Sequence, residues 1–92
     1  MTITHEQPHE RVRVFVDYDP HAPGTTEQPK VRPVAFQWGK KRYEVKQINL
    51  VYQRRQGDVH EVLFAVSDGM NSFVLSFNPV KMEWQLEEMM VE

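Results

Sequence analysis

Apolar and polar residues alternate with a period of two along most of this chain, which predicts β-strands rather than helices. In Arg11-Val12-Arg13-Val14-Phe15-Val16-Asp17-Tyr18 the even positions are apolar and most odd ones polar, with Phe15 the exception on the outer face. Val34, Phe36 and Trp38 mark one face of a second strand over 34–38, and Gly39 opens the hairpin turn after it. A long third strand runs from Arg42 to Arg54, with its apolar residues first at odd positions (Tyr43, Val45) and then at even ones (Ile48, Leu50, Tyr52). One extra residue near Lys46-Gln47, a β-bulge, would return all five to a common inward face.

After a turn at Gln56-Gly57-Asp58, Val62, Phe64 and Val66 alternate with Glu61, Leu63 and Ala65, so the fourth strand is apolar on nearly both faces and belongs at the centre of a sheet. Phe73, Leu75 and Phe77 give the inward face of the fifth strand; Met82, Trp84 and Leu86 give that of the sixth, with Glu83, Gln85 and Glu87 outward. Asp68-Gly69 and Asn78-Pro79 are the turns between them. No stretch shows apolar residues at helical spacing, and no repeat recurs at solenoid periods. The fold class expected is therefore all-β: a single small domain, a six-stranded antiparallel meander curled into a partly closed barrel or roll that limits its exposed edges. Residues 1–10 have no period and are expected to be a flexible N-terminal tail, leaving 11–92 as the β domain. Within it, residues 19–33 carry four prolines and Gly24, the composition of a long surface loop.

Composition narrows the setting. Ninety-two residues fit one core, and a 40% hydrophobic content with ten aromatics is enough to fold it. Cysteine is absent, which excludes disulfides and thiolate metal sites and fits a reducing compartment, so a cytoplasmic location is expected. Met1 to Glu10 lacks the basic start and apolar run of a secretion signal, and no window approaches the length of apolar chain that a membrane span needs, so no membrane contact is expected.

Catalytic chemistry finds little to work with. Ser67, Ser72 and Ser76 stand at turns or outward strand positions with no base paired to them in the pattern. His5 and His9 have the i, i+4 spacing of a helical metal site but fall in the expected tail, and His21 and His60 are near turns. The four glycines stand singly, so no phosphate-cradling loop is present. The chain is expected not to be an enzyme and to use no cofactor or metal, and no histidine is expected within hydrogen-bond reach of a carboxylate or serine in a pocket.

Charge adds the most distinctive feature. The net charge of −2 hides an uneven distribution: two basic and five acidic residues over 1–29, eight and one over 30–55, one and seven over 56–92. Lys40, Lys41, Arg42, Lys46 and Arg54 accompany Trp38, Tyr43 and Tyr52, the combination with which small barrels hold single-stranded nucleic acid, cations on phosphates and aromatics on bases. Two plainer readings stand beside it. The aromatics fall on the inferred core face and the cations on the solvated one, or the cations lie across from Glu61, Glu83 and Glu87 and are neutralised there.

The string Phe36-x-Trp38-Gly39-Lys40-Lys41-Arg42-Tyr43-x-Val45, then Phe64-x-Val66-x-Asp68-Gly69, Phe73-x-Leu75 and Trp84-x-Leu86-Glu87, resembles a family of short bacterial β domains of unknown function, some of them appended to translesion-polymerase-like proteins. The likeness covers residues 34–88. It implies a bacterial, intracellular accessory domain near nucleic-acid enzymes and carries over no functional residue, since the family has no catalytic or binding motif matched here. Residues and resemblance together lead to a non-enzymatic binding or accessory module. Either nucleic acid binds through Lys40, Lys41, Arg42, Lys46 and Arg54, or a protein partner or second copy adds to an exposed edge strand.

Overall fold

The computed structural model describes residues 4–18 and 31–91, and within them every regular element is a strand: β1 (Thr4–Glu6), β2 (Glu10–Arg11), β3 (Arg13–Tyr18), β4 (Val31–Trp38), β5 (Lys41–Glu44), β6 (Gln47–Gln56), β7 (Val59–Ser67), β8 (Ser72–Asn78) and β9 (Glu83–Val91). All pairings are antiparallel. One sheet has the order β1-β9-β8-β7-β6, with β2 also on β9; the other is β3-β4-β5.

The two sheets share chain at two corners. At Val12, whose N–H donates to the Trp84 carbonyl at 3.1 Å, the N-terminal strand leaves β9 and continues as β3 against β4. At Val45-Lys46 the third predicted strand leaves β4 and continues as β6 against β7; Val45 N–H donates to Val34 at 2.9 Å and Lys46 N–H to Ser67 at 2.9 Å. The six expected strands are thus present in meander order, two of them divided between sheets, an arrangement compatible with a partly closed barrel or roll.

Between the sheets lies an aromatic core. Val14, Phe36 and Tyr43 occupy one row across β3, β4 and β5, since Val14 pairs with Phe36 and Phe36 with Tyr43. Phe73 of β8 closes on them from the other sheet, with Phe36, Tyr43 and Phe73 centroids 5.0 Å apart in every pair. Phe64, Val66, Leu75, Leu86 and Met89 complete the cluster, and Trp84 packs between Phe64 and Phe77. As expected, β7 is central, with Leu63 buried on the face opposite Phe64.

Several expectations change. Thr4–Glu6 and Glu10, placed in the tail, pair with β9, and so does Arg11, placed at the start of the first strand. Of the loop over 19–33, residues 31–33 belong to β4 and 19–30 lie outside the described residues. Pro33 sits inside that strand opposite Val16 of β3, next to the register shift at Val34, and bulges are among the places where a strand admits proline. Val34 is unpaired opposite Phe15-Val16 and turns outward, while Val16 and Tyr18 are exposed on the arm of β3 beyond the core. Met82 belongs to the turn before β9, with φ +56°, and is exposed. Phe15 does lie on the outer face, where the guanidinium carbons of Arg42 and Arg13 stand 4.5 and 5.2 Å from its ring centroid.

The turn between β7 and β8 carries its own charge. Gly69, at φ +98°, adopts a backbone that a side chain would strain, and Asp68 Oδ1 accepts the N–H groups of Met70 and Asn71 at 2.9 and 2.7 Å. Partial burial alone would raise the Asp68 carboxyl pKa, but the hydrogen bonds from Asn71 and Met70 outweigh it and hold the group below its ordinary value. A carboxyl depressed in the folded state stabilises the fold above its unfolded pKa, about 4, and loses that contribution as pH falls through the folded value. Asp68→Ala should therefore cost about 1 kcal/mol at neutral pH and flatten the acid limb of a stability-against-pH curve, as read by urea midpoints. Phe36→Ala, at a fully buried site, should cost about 3–5 kcal/mol in the same assay.

Candidate functional site

The long strand β6 pairs with β7 on one side and ends its sheet, so its other edge has no strand partner among the described residues. Its side chains are arranged by a second irregularity that the sequence pattern did not show. Ile48 pairs with Val66 and Leu50 with Ala65, leaving Asn49 unpaired between them. The parity change expected near Lys46-Gln47 does occur, since Val45 and Ile48 both pack on the core. The extra residue at Asn49 then reverses it, and Leu50 and Tyr52, expected inside, share the outer face with Ala65 and Leu63. Leu50 is 56% exposed, Val51 39% and Tyr52 38%.

Further along the same face, Arg54 ends this apolar stretch in a charge network. Its Nη2 donates to Glu61 Oε1 at 2.8 Å and to Glu87 Oε1 at 2.7 Å, and its Nε also donates to Glu61 at 3.2 Å. Glu61 is its cross-strand partner on β7. Glu87, expected to point outward into water, is instead 4% exposed: it is the unpaired residue where β9 shifts register between Leu86 and Glu88. The hydrogen bond to Glu61 is the largest influence raising the Arg54 pKa above its ordinary value, burial opposes it, and Glu87 reinforces it, so Arg54 stays cationic. The expectation that third-strand cations are neutralised by Glu61 and Glu87 holds for Arg54, while Glu83 meets Arg11 instead, at 3.6 Å.

Beside this network is a polar cleft of about 430 Å³ lined by His9, Arg54, Glu61, Ser76, Gln85 and Glu87, among others. Here the expectation that no histidine would reach a carboxylate in a pocket fails, because His9 Nδ1 lies 3.3 Å from Glu87 Oε2. The cause is the pairing of the N-terminal residues with β9. Between β1 and β2, His9 takes φ +50°, and His5 stands 3.2 Å from Glu88. No hydrogen bond joins His9 to Ser76 among the described residues, and Glu87 is already held by Arg54.

The five cations expected to track phosphates do not gather. Lys40 lies in the β4–β5 turn, with Lys41 and Arg42 on β5. Arg42 is paired with Glu44 at 3.0 Å, and Lys41 Nζ stands 5.1 Å from the Tyr43 centroid. Lys46 is at the second corner, lining a separate cleft of about 500 Å³ with Pro33, Val34, Val45 and Ile48. Arg54 is eight strand residues further along, roughly 26 Å at 3.3 Å per residue. Arg13, which the sequence reading did not single out, joins Arg42 at Phe15. No group of histidines and carboxylates suited to a metal ion occurs among the described residues, and no helix is long and apolar enough to cross a membrane.

No protein-family model, curated protein or solved structure matches the chain.

Arg54→Met should leave the Glu87 carboxylate buried without its cation and cost about 1–3 kcal/mol, less than a wholly buried pair because Arg54 remains 38% exposed on its side chain. Arg54→Met with Glu87→Met should recover most of that loss, since two apolar groups then replace two ions; urea unfolding of the single and double variants checks both.

Proposed function

We propose that this chain is a non-enzymatic interaction module whose working surface is the free edge of β6, to which an extended protein segment adds as a further strand. The carrying observation is that edge itself: ten residues of strand, unpaired among the described residues, with Leu50, Val51 and Tyr52 exposed at its middle. Strand addition draws affinity from main-chain hydrogen bonds along such an edge and selectivity from side chains alternating above and below it. Edges that are meant to stay single carry charge, proline or a covering element. Here Gln47–Gln53 is a seven-residue run without charge, whereas the free edges of β3 and β5 include Arg13, Asp17, Lys41, Arg42 and Glu44.

The nucleic-acid reading draws less support. Of its five residues Arg54 is committed to two carboxylates and Arg42 to one, and Lys46 stands at the far corner from the β4–β5 turn. A capped peptide of residues 47–56 titrated into the dilute protein discriminates the two. Strand addition predicts saturable amide shifts and slowed exchange along β6, little altered by salt, and none with the same peptide carrying Val51→Pro, which cannot complete a ladder. Equal shifts from both peptides, or none, would overturn the reading. Saturable binding of a single-stranded oligonucleotide at Lys40–Arg42 that weakens steeply with salt would replace it.

A further inference from the structure

We infer that the strand this edge takes is β6 of a second copy, paired antiparallel about a two-fold axis at Val51. The inference rests on the strand-addition reading above and names its partner. An isologous pair brings the same surface together twice, so residue i of one copy faces residue j of the other and the reverse. About Val51 the sequence is symmetric in chemistry: Leu50 and Tyr52 flank it, then Asn49 and Gln53. Antiparallel pairing centred there sets Val51 against Val51 and Leu50 against Tyr52, in both halves.

The faces agree as well as the order. Leu50 and Tyr52 both point to the outer face of the sheet, because they pair with Ala65 and Leu63 of β7, so across the axis each apolar side chain meets another on the same side. Val51, opposite Phe64, lies on the other face and meets its own copy. All three are more than a third exposed in the single chain, and the contact would cover them.

Charge selects the direction. A parallel in-register pair would stack Arg54 on Arg54 and Arg55 on Arg55. The antiparallel pair moves these cations past the uncharged centre to opposite ends, and Arg54 arrives already neutralised by Glu61 and Glu87 of its own chain. The remaining free edges are shorter and charged, so a second copy finds no equivalent symmetric run on them. The result is one sheet continuous across two copies, with the Arg54 networks at either end of the shared seam.

Sedimentation velocity over a concentration series, with the intact chain, tests this. The wild type should pass from monomer to dimer as concentration rises. Leu50→Lys should weaken the dimer by at least roughly tenfold, because a C2 contact suffers each substitution twice. Leu50→Lys combined with Tyr52→Glu should restore it, since the introduced lysine of one copy then faces the introduced glutamate of the other, and the restoration should fade in high salt. Both positions are exposed, and unchanged near-ultraviolet circular dichroism confirms the fold. A wild type that stays monomeric at millimolar concentration, or a dimer indifferent to Leu50→Lys, overturns the inference. If the monomer still binds the 47–56 peptide, strand addition stands with a different partner; if it binds neither, both readings fall.

Discussion

In a strand, one residue left without a partner turns every later side chain to the opposite face, and this parity constraint governs which residues of the chain meet water. It acts at Val34, at Val45-Lys46, at Asn49 and at Glu87. At Val34 and at Val45-Lys46 the shifts let one chain serve two sheets, because the hydrogen bond from Val45 to Val34 holds the corner where β5 gives way to β6. The aromatic core depends on that corner. Tyr43 before it and Ile48 after it both reach the same cluster from different sheets. At Asn49 and Glu87 the shifts decide what lies outside the core: Asn49 turns Leu50 and Tyr52 out of it, and Glu87 drops a carboxylate beneath Arg54.

These outer shifts are linked through β6. Glu87 on β9 and Glu61 on β7 both hold Arg54, although β8 separates those two strands in the sheet. A guanidinium can span such a gap with several donors in one plane, where a lysine would offer a point charge. Arg54 therefore ties the end of the outermost strand across the face of its sheet. Trp38 does a similar service at the first corner, donating from Nε1 to Glu10 at 2.8 Å and joining β4 to β2. The Arg54–Glu87 and Trp38–Glu10 bonds run between elements that share no ladder, while Arg54–Glu61 lies within the β6–β7 ladder.

The strands themselves were legible in the sequence because half-buried strands must alternate, as Arg11–Val14 and Glu83–Leu86 do, and because in 73–77 the largest apolar side chains fall at every second position. The parity change near Lys46-Gln47 was legible for the same reason, between Val45 and Ile48, although there the chain passes from one sheet to the other instead of bulging within a single strand. The one at Asn49 was not, because Leu50, Val51 and Tyr52 are all apolar and either parity gives a plausible face. Nor was the pairing of residues 4–6 and 10–11, where the side chains of His5, Glu6, Glu10 and Arg11 are exposed and the order comes from backbone bonds to β9 and contacts to Glu87 and Glu88. A cation run along a chain likewise says little about a patch in space. Lys40 to Lys46 crosses a corner, and Arg54 turns to partners that are 7 and 33 residues away in sequence.

The same ambiguity that hid the Asn49 shift bears on how the edge works. A strand whose middle three residues are all apolar can bury one face against its own core and still present an apolar face outward. In β6 the core takes Ile48, while Val51 remains exposed although it lies on the same face as its cross-strand partner Phe64. Exposed apolar side chains on both faces of an unpaired edge leave main-chain donors and acceptors as the nearest groups a further strand would meet. The cations at the ends then limit where such a strand can sit: Lys46 stands at the corner, and Arg54 and Arg55 stand before the turn to β7. Between them the edge offers an uncharged seat about seven residues long, or roughly 23 Å. That is the usual length of a strand in a small sheet. On the strand-addition proposal, charge would therefore set the register of this edge, while its apolar centre would supply the contact.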